Sequence, residues 1–390
     1  MNMNIRFPLA TATWGEDEQL AMKRVIASGI YTMGDNVAKF ENNFADYLGS
    51  NFCVMVNSGS SAILLMVAAL FYTKNPKLKL KRGDEVIVPA VSWSTTYFPL
   101  YQYGLKIKFV DIDLNTLNYD LKMLTQAVSS KTRAIMAVNL LGNPNDFESI
   151  KSIIGERNIV LLEDNCESMG AKFQGKFTGT FGVMGGHSSF FSHHISTMEG
   201  GLIVTDDEEL YQIILSLRAH GWTRNLPQHN LVCGEKSEDP FDELFRFVLP
   251  GYNVRPLEIE GALGIEQIKR LPRFIEERRK NGRLLQETML NHSEILIQSE
   301  IGESSWFGFS LVIRPGSKLT RKELVLNLKE LGFECRPIVA GNFAKNDVVK
   351  YFDYEIHSEL KNAEYIDKNG LFIGNHHYPI PEAFVEMAKI

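Results

Sequence analysis

The feature that most constrains this chain is a series of short apolar runs, each closed by turn residues. FCVMV (52–56), EVIVPA (85–90), IKFVDID (107–113), AIMAVNLLG (134–142), IVLLEDN (159–165) and GLIVTD (201–206) are nearly continuous in apolar side chains. Runs of this kind suit strands buried on both faces, because a strand wetted on one face would alternate. Between them, SAILLMVAALFY (61–72) and DEELYQIILSLRAHG (207–221) carry helical spacing. Strand alternating with helix predicts an α/β fold: a mostly parallel central sheet with helices on both faces.

The pattern changes near residue 255. PLEIEGALGIEQIKRLPRFIEERRKNGRLLQETML reads as one long helix, with Pro272 as the place where it could bend. Beyond it lie a strand, WFGFSLVI (306–313), a helix, TRKELVLNLKELG (320–332), a strand, FECRPIV (333–339), and a helix–strand pair near 360–374. We therefore expect a large domain over 1–255 and a smaller C-terminal α/β domain over 256–390, opened by a long linking helix. A chain of 390 residues is long enough for both.

Charge and cysteine content exclude several function classes. With 41 Lys and Arg against 47 Asp and Glu, the net charge of −6 argues against nucleic acid or an acidic membrane surface as the main partner. No apolar run approaches the roughly 18 residues of a membrane span. The stretch MNMNIRFPLATATWGEDE lacks the apolar centre of a signal peptide, so a cytoplasmic location is expected. Cys53, Cys166, Cys233 and Cys335 form no CxxC pair, which points to buried free thiols and not to a zinc clip or a compact disulfide framework.

Three strand ends carry residues that could share one ligand. In VNSGSSAILL (56–65) a strand runs through Asn-Ser-Gly-Ser-Ser into a helix. The free N–H groups of a helix start suit a phosphate; Gly59 permits close approach and Ser60 or Ser61 could cap. A plain cap with nothing bound would need the same residues. In LLEDNCES (161–168) an apolar strand ends in Glu163, Asp164 and Glu167, where a carboxylate could hold a protonated pyridine nitrogen or simply cap a helix. Trp93, in PAVSWSTT, could stack on a flat ring or pack in the core. Together they supply a phosphate site, a ring-nitrogen partner and a ring face.

These residues also carry a resemblance. With YTMGDNVAKFENNFADYLG (31–49), GDEVIVPAVSW, EDNCESMGA, SSFFSHHISTMEGG, RAHGWTRN, GYNVRPLE and CRPIVAGNF, the chain resembles the fold-type I, vitamin B6-dependent sugar aminotransferase and dehydratase family from about residue 7 onward. The resemblance implies a cofactor of pyridoxal 5′-phosphate or pyridoxamine 5′-phosphate. It places Asp164 at the pyridine nitrogen, Trp93 against the ring, Gly59, Ser60 and Ser188 at the phosphate, and Glu167 beside the ring. Asn253 matches an asparagine that reaches the cofactor phosphate of a neighbouring subunit, which implies a homodimer with shared active sites. His220, Arg224 and Arg336 are candidate substrate contacts, each with a purely structural alternative.

One stretch departs from that family. In SFFSHHISTMEGG (189–201), His193-His194 stands where ordinary members have Lys-His, whose lysine forms a Schiff base with the cofactor. Imidazole cannot form that bond, yet it can move a proton near neutral pH. The same substitution marks the 3-dehydratases of 3,6-dideoxysugar pathways. The resemblance therefore implies a non-covalently held cofactor, L-glutamate as amino donor, and a GDP-linked 4-keto-6-deoxy sugar as substrate. The other branch with this histidine acts on a CDP sugar and carries an iron–sulfur cluster, for which four scattered cysteines offer no obvious site.

Three other readings stay open at this point. His194 could merely pack, and the H-x5-HH spacing of His187, His193 and His194 matches no metal-ligand pattern, so no metal is expected. A displaced lysine, Lys172 or Lys176, would make the chain an aminotransferase. Loss of the lysine by decay would leave a non-catalytic cofactor-binding regulator.

Overall fold

In a computed structural model, residues 5–390 of the chain are described. Met1–Asn4, the first residues of the N-terminal stretch read above, lie outside the described residues.

The large sheet has eight strands in the order Phe52–Val56, Gly201–Thr205, Met184–Ser188, Val160–Asp164, Thr132–Val138, Glu85–Pro89, Lys106–Val110 and Tyr354–Ile356. Only Gly201–Thr205 pairs antiparallel to its neighbours, so the other seven strands run the same way. All six apolar runs expected to be strands are there. Successive side chains of a strand enter opposite cores, as the two-residue period of a strand requires. Val86, Val88, Ala134 and Met136 pack with the helix Gly59–Tyr72 on one face, whereas Ile87, Ile135 and Ala137 pack with Leu124, Phe147 and Ile150 on the other.

Two strands of this sheet were not expected. Met184–Ser188 (MGGHS) has no β-branched residue, yet lies fully buried in the sheet centre. Its glycines are there for space: a Cβ on Gly185 would lie 2.0 Å from the Gly179 carbonyl oxygen, and one on Gly186 would lie 2.6 Å from Ile63 Cδ1. Tyr354–Ile356 returns from the C-terminal part of the chain to the sheet edge. There the buried Lys108 Nζ lies 2.9 Å from Glu85 and 3.5 Å from Glu355.

The long helix runs unbroken over Glu258–Met289, with Pro272 inside it. A four-stranded antiparallel sheet follows, ordered Ile295–Ile297, Gly308–Ile313, Gly370–Gly374 and Cys335–Arg336. It has its own core around Trp306, Phe309, Leu324 and Phe384. The expected strand over 333–339 contracts to two residues, because Pro337 has no N–H to extend the ladder. We propose the division near 255 with this segment 354–356 as an excursion from the smaller unit. The four cysteines are free, Cys53 buried and the other three half-buried.

With the strands aligned, Val56, Pro89, Val138, Asp164 and Ser188 all end at one edge of the sheet, where ligands of open α/β sheets bind. The glycine strand makes a direct test of the packing. Gly185→Ala should destabilise by ~3 kcal/mol or more because a backbone carbonyl blocks the new carbon, and Gly186→Ala by ~1–3 kcal/mol because a side chain can yield. Denaturant unfolding of the two variants measures the difference; equal losses would contradict it.

Candidate active site

A cleft of about 390 Å³ opens at this sheet edge. Of the residues singled out in the sequence, Gly59, Ser60, Trp93, Asp164, Glu167, Ser188, His193 and Arg336 line it. Cys166, Glu199, Phe190 and Phe307 complete its walls.

Asp164 is the charged end of its strand. Its carboxylate accepts from Thr96 Oγ1 at 2.6 Å and from the Cys166 N–H at 3.2 Å. Thr96 is itself held by Ser92 at 2.7 Å. Only neutral groups bond to this buried acid, and burial raises its pKa against the lowering effect of Thr96 and Cys166. A buried carboxylate in this state gains most from a cationic N–H delivered into the cleft.

Glu163, one residue earlier, points to the other side of the sheet. It accepts from the N–H groups of Gly179 and Gly182 at 2.6 and 2.7 Å, so it is structural. Glu167 returns to the cleft, where its carboxylate accepts from the Leu141 N–H at 3.0 Å. Burial pushes its pKa up to about 7, with Asp164 adding to the rise and Leu141 opposing it.

The helix Gly59–Tyr72 begins at the cleft floor. Its cap is Ser58, whose Oγ accepts from the Ser61 N–H at 3.1 Å, and not Ser60 or Ser61 as expected. The helix starts at Gly59, two residues before the start a Ser60 cap would give, which leaves the Gly59 and Ser60 N–H groups without helical partners. Ser60 is exposed and bonds Thr95 at 3.0 Å. A Cβ at Gly59 would come within 2.7 Å of Ser188 Cβ, so glycine is needed for the strand and helix to meet. Hydroxyls and free N–H groups at a helix start suit a phosphate-sized anion. Trp93 also lines the cleft and is 58% exposed, so it is not packed in the core.

His193 sits on the cleft wall, its ring centroid 5.0 Å from Phe307 and 6.0 Å from Phe190. Its Nδ1 has no hydrogen-bond partner among the described residues. Burial against these rings, helped by the positive Arg278, lowers its pKa to about 4. The imidazole is therefore neutral at physiological pH and able to accept a proton. His194 is buried and turned away, its Nε2 3.2 Å from the Ser305 carbonyl oxygen. His187 lies edge-on to Phe44 at 5.1 Å, and burial lowers its pKa to about 3.

Lys172 and Lys176 do not reach the cleft. Their ammonium groups lie over the rings of Phe177 and Phe181, at 4.5 and 5.2 Å. Among the described residues lining the cleft there is no lysine. Arg336 is at the mouth, with Glu334 at 3.7 Å.

His220, Arg224 and Asn253 gather elsewhere, around Trp222. The His220 ring is 4.7 Å from that indole, Arg224 lies 4.4 Å over it, and Asn253 accepts from Arg255 at 3.0 Å. Exposed Phe245 and Phe247 flank this cluster, their rings 6.2 and 5.8 Å from Trp222. The chain by itself does not bring these three residues to the cleft. Sequence reasoning missed Phe307, Phe190, Cys166 and Glu199 as cleft walls. Phe190 and Glu199 stand within the His193 stretch itself, which was a usable signal; Phe307 comes from the smaller unit and gave none.

This arrangement defines a cofactor-type site at the edge of an aminotransferase-like sheet, and comparison with known proteins gives the class. The model of the DegT/DnrJ/EryC1/StrS aminotransferase family matches residues 13–383, and the chain belongs to that family. It is 61% identical over 99% of its length to the GDP-4-keto-6-deoxy-D-mannose 3-dehydratase of Yersinia pseudotuberculosis, covering 98% of that protein. It matches the E. coli GDP-4-keto-6-deoxy-D-mannose-3-dehydratase with bound hydrated PLP at 60% identity and a TM-score of 0.97, over 99% of both chains. A further match, at 59% identity and TM-score 0.97 over 98% of this chain and 99% of the other, is that dehydratase with a trapped PLP–glutamate geminal diamine.

The raised acid gives a stability test on the ligand-free protein. Glu167 binds its proton more tightly folded than unfolded, so it carries a penalty that grows as pH rises from about 4.5 through about 7. Glu167→Gln should raise the melting temperature at pH 8 and leave it nearly unchanged at pH 4.5. A gain of equal size at both pH values would contradict the burial of this acid.

Proposed function

We propose that this chain is a 3-dehydratase that removes the C3 hydroxyl of GDP-4-keto-6-deoxy-D-mannose and gives the 4-keto-3,6-dideoxy sugar. It uses pyridoxal 5′-phosphate, held without a covalent bond and cycled to pyridoxamine 5′-phosphate by L-glutamate, which leaves as 2-oxoglutarate; the transferred nitrogen is released as ammonia when the keto product is freed by hydrolysis. The observation that carries this reading is the imidazole of His193 on a cleft wall that no lysine among the described residues lines.

The residues suit such a cofactor. A helix start with free N–H groups, Ser60 and Ser188 would hold the phosphate; Trp93 offers its face to the ring; Asp164, buried and without a cation, would hold the ring nitrogen protonated. When bound, the cofactor supplies an amine able to condense with the sugar ketone and a ring able to accept electrons. His193, neutral in this site, takes the proton at cofactor C4′ and returns it to the departing C3 hydroxyl oxygen. Glu167, its pKa raised to about 7, is partly protonated near neutrality and holds the Leu141 N–H. Arg336 offers a bidentate guanidinium at the mouth for the substrate diphosphate or the glutamate carboxylate.

The chain works as a homodimer with shared active sites. The exposed cluster of His220, Arg224 and Asn253 supports this, because these residues serve a cleft only when a second copy brings them to it. Asn253 then reaches the cofactor phosphate of the neighbouring subunit. Two charged, water-soluble substrates suit a cytoplasmic enzyme; no helix among the described residues is long and apolar enough to cross a membrane.

Two variants test the role of His193. A positioned acid/base contributes ~10²–10⁴-fold, so His193→Asn should lose dehydration by that factor while retaining cofactor affinity. Dehydration near the wild-type rate would sink the assignment. His193→Lys should restore the family's covalent link, so borohydride reduction and peptide mass spectrometry should find the cofactor on residue 193. An unmodified residue 193 would contradict the geometry.

A further inference from the structure

Behind His193 lies a buried cation that the reaction above does not use. Arg278 projects from the helix Glu258–Met289 and is 5% exposed. Its Nη1 donates to the carbonyl oxygens of Asn375 at 3.0 Å, Phe307 at 3.1 Å and Trp306 at 3.5 Å. Its Nε has no partner, and no carboxylate pairs with it among the described residues. A buried guanidinium without a counter-ion is costly, and burial lowers even its pKa to about 10. Such a cost is tolerated where the group does something a neutral side chain could not.

What Arg278 grips is the peptide that seats the imidazole. Trp306 has φ +46 and Leu141, facing it, has φ +54, both in the left-handed region that is strained for a bulky residue. The two strained turns are bonded to each other, Ser305 N–H to Gly142 O at 2.9 Å and Phe307 N–H to Leu141 O at 3.0 Å. A Cβ at Gly142 would lie 2.5 Å from the Trp306 nitrogen, so the turns are in close contact. Phe307 then presents its ring to both His193 and His194. Asn375 completes the clamp by donating to the Trp306 carbonyl at 2.8 Å. Loosening this peptide would free the wall against which His193 rests.

We infer that Arg278 is a positioning residue for His193: it fixes the strained Trp306–Phe307 peptide, and through the Phe307 ring the imidazole, while placing a fixed positive charge behind it. The inference rests on the proton-transfer role proposed for His193. The direction of its neighbours' titration agrees, since Arg278 acts to lower the pKa of His193, His194, His376 and His377. The other charged or titratable groups around His193 among the described residues are Asp164, Cys166, Glu167, Glu199 and Arg336 in the cleft, and Arg279 near His194 on the same helix as Arg278.

The test compares Arg278→Met, Arg278→Lys and wild type, each checked for folding by circular dichroism. Histidine-labelled protein without cofactor is titrated by NMR, with His193→Asn to identify the resonance. Removing the charge in Arg278→Met should raise the His193 pKa by roughly one unit. Arg278→Lys, which keeps the charge but not the forked grip, should leave that titration near wild type and still lose dehydration tenfold or more. A folded Arg278→Met with the wild-type His193 titration, or a folded Arg278→Lys with full dehydration, would overturn the inference. Were His193→Asn to keep dehydration, the role of His193 would fall instead, and the NMR titration would still report whether Arg278 governs the imidazole.

Discussion

The site depends on one unbalanced charge. Asp164 ends a central strand, buried, and its partners among the described residues are all neutral: the Thr96 hydroxyl, the Cys166 N–H and the Cys166 thiol. Taking a carboxylate out of water without a cation is unfavourable, and the fold can hold it only because the sheet and its helices fix the strand end from both faces. Everything lining the cleft suits the ligand that would relieve this charge: a helix start for an anion, an exposed indole for a ring, and an acid for a ring N–H. Parallel strands make this possible, because seven of them deliver their ends to one edge.

The second constraint is the seating of His193, the group proposed to transfer the proton. An imidazole replaces an amine here, which removes the covalent anchor and leaves orientation to packing alone. The structure supplies that packing from the smaller unit, through a strained Trp306–Phe307 peptide locked to Leu141 and gripped by Arg278. Glu167, bonded to the Leu141 N–H, ties the same turn to the floor of the cleft. Floor and wall therefore share one set of backbone bonds, and a change at either should be felt at the other.

Much of this was legible in the chain. The large sheet was readable because buried parallel strands write themselves as apolar runs, and the site because phosphate, ring and acid groups fall just after such runs. Met184–Ser188 was hidden, since its glycines record the closeness of Gly179 and Ile63 and not any strand propensity. Tyr354–Ile356 was hidden because a half-exposed edge strand held by lysine–glutamate pairs has no apolar signature. Arg278, Leu141 and Trp306 act through backbone carbonyls and positive φ angles, which no residue pattern announces. Asn253, His220 and Arg224 were picked out from their motifs, but one chain does not carry them to the cleft.

The central claim is that the cofactor is held by Asp164, Trp93 and the helix start, with no lysine bonded to it. The most direct measurement is the intact mass of the wild-type chain after loading with pyridoxal 5′-phosphate and reduction with borohydride. The account predicts the mass of the unmodified chain. A chain heavier by one reduced cofactor would contradict it.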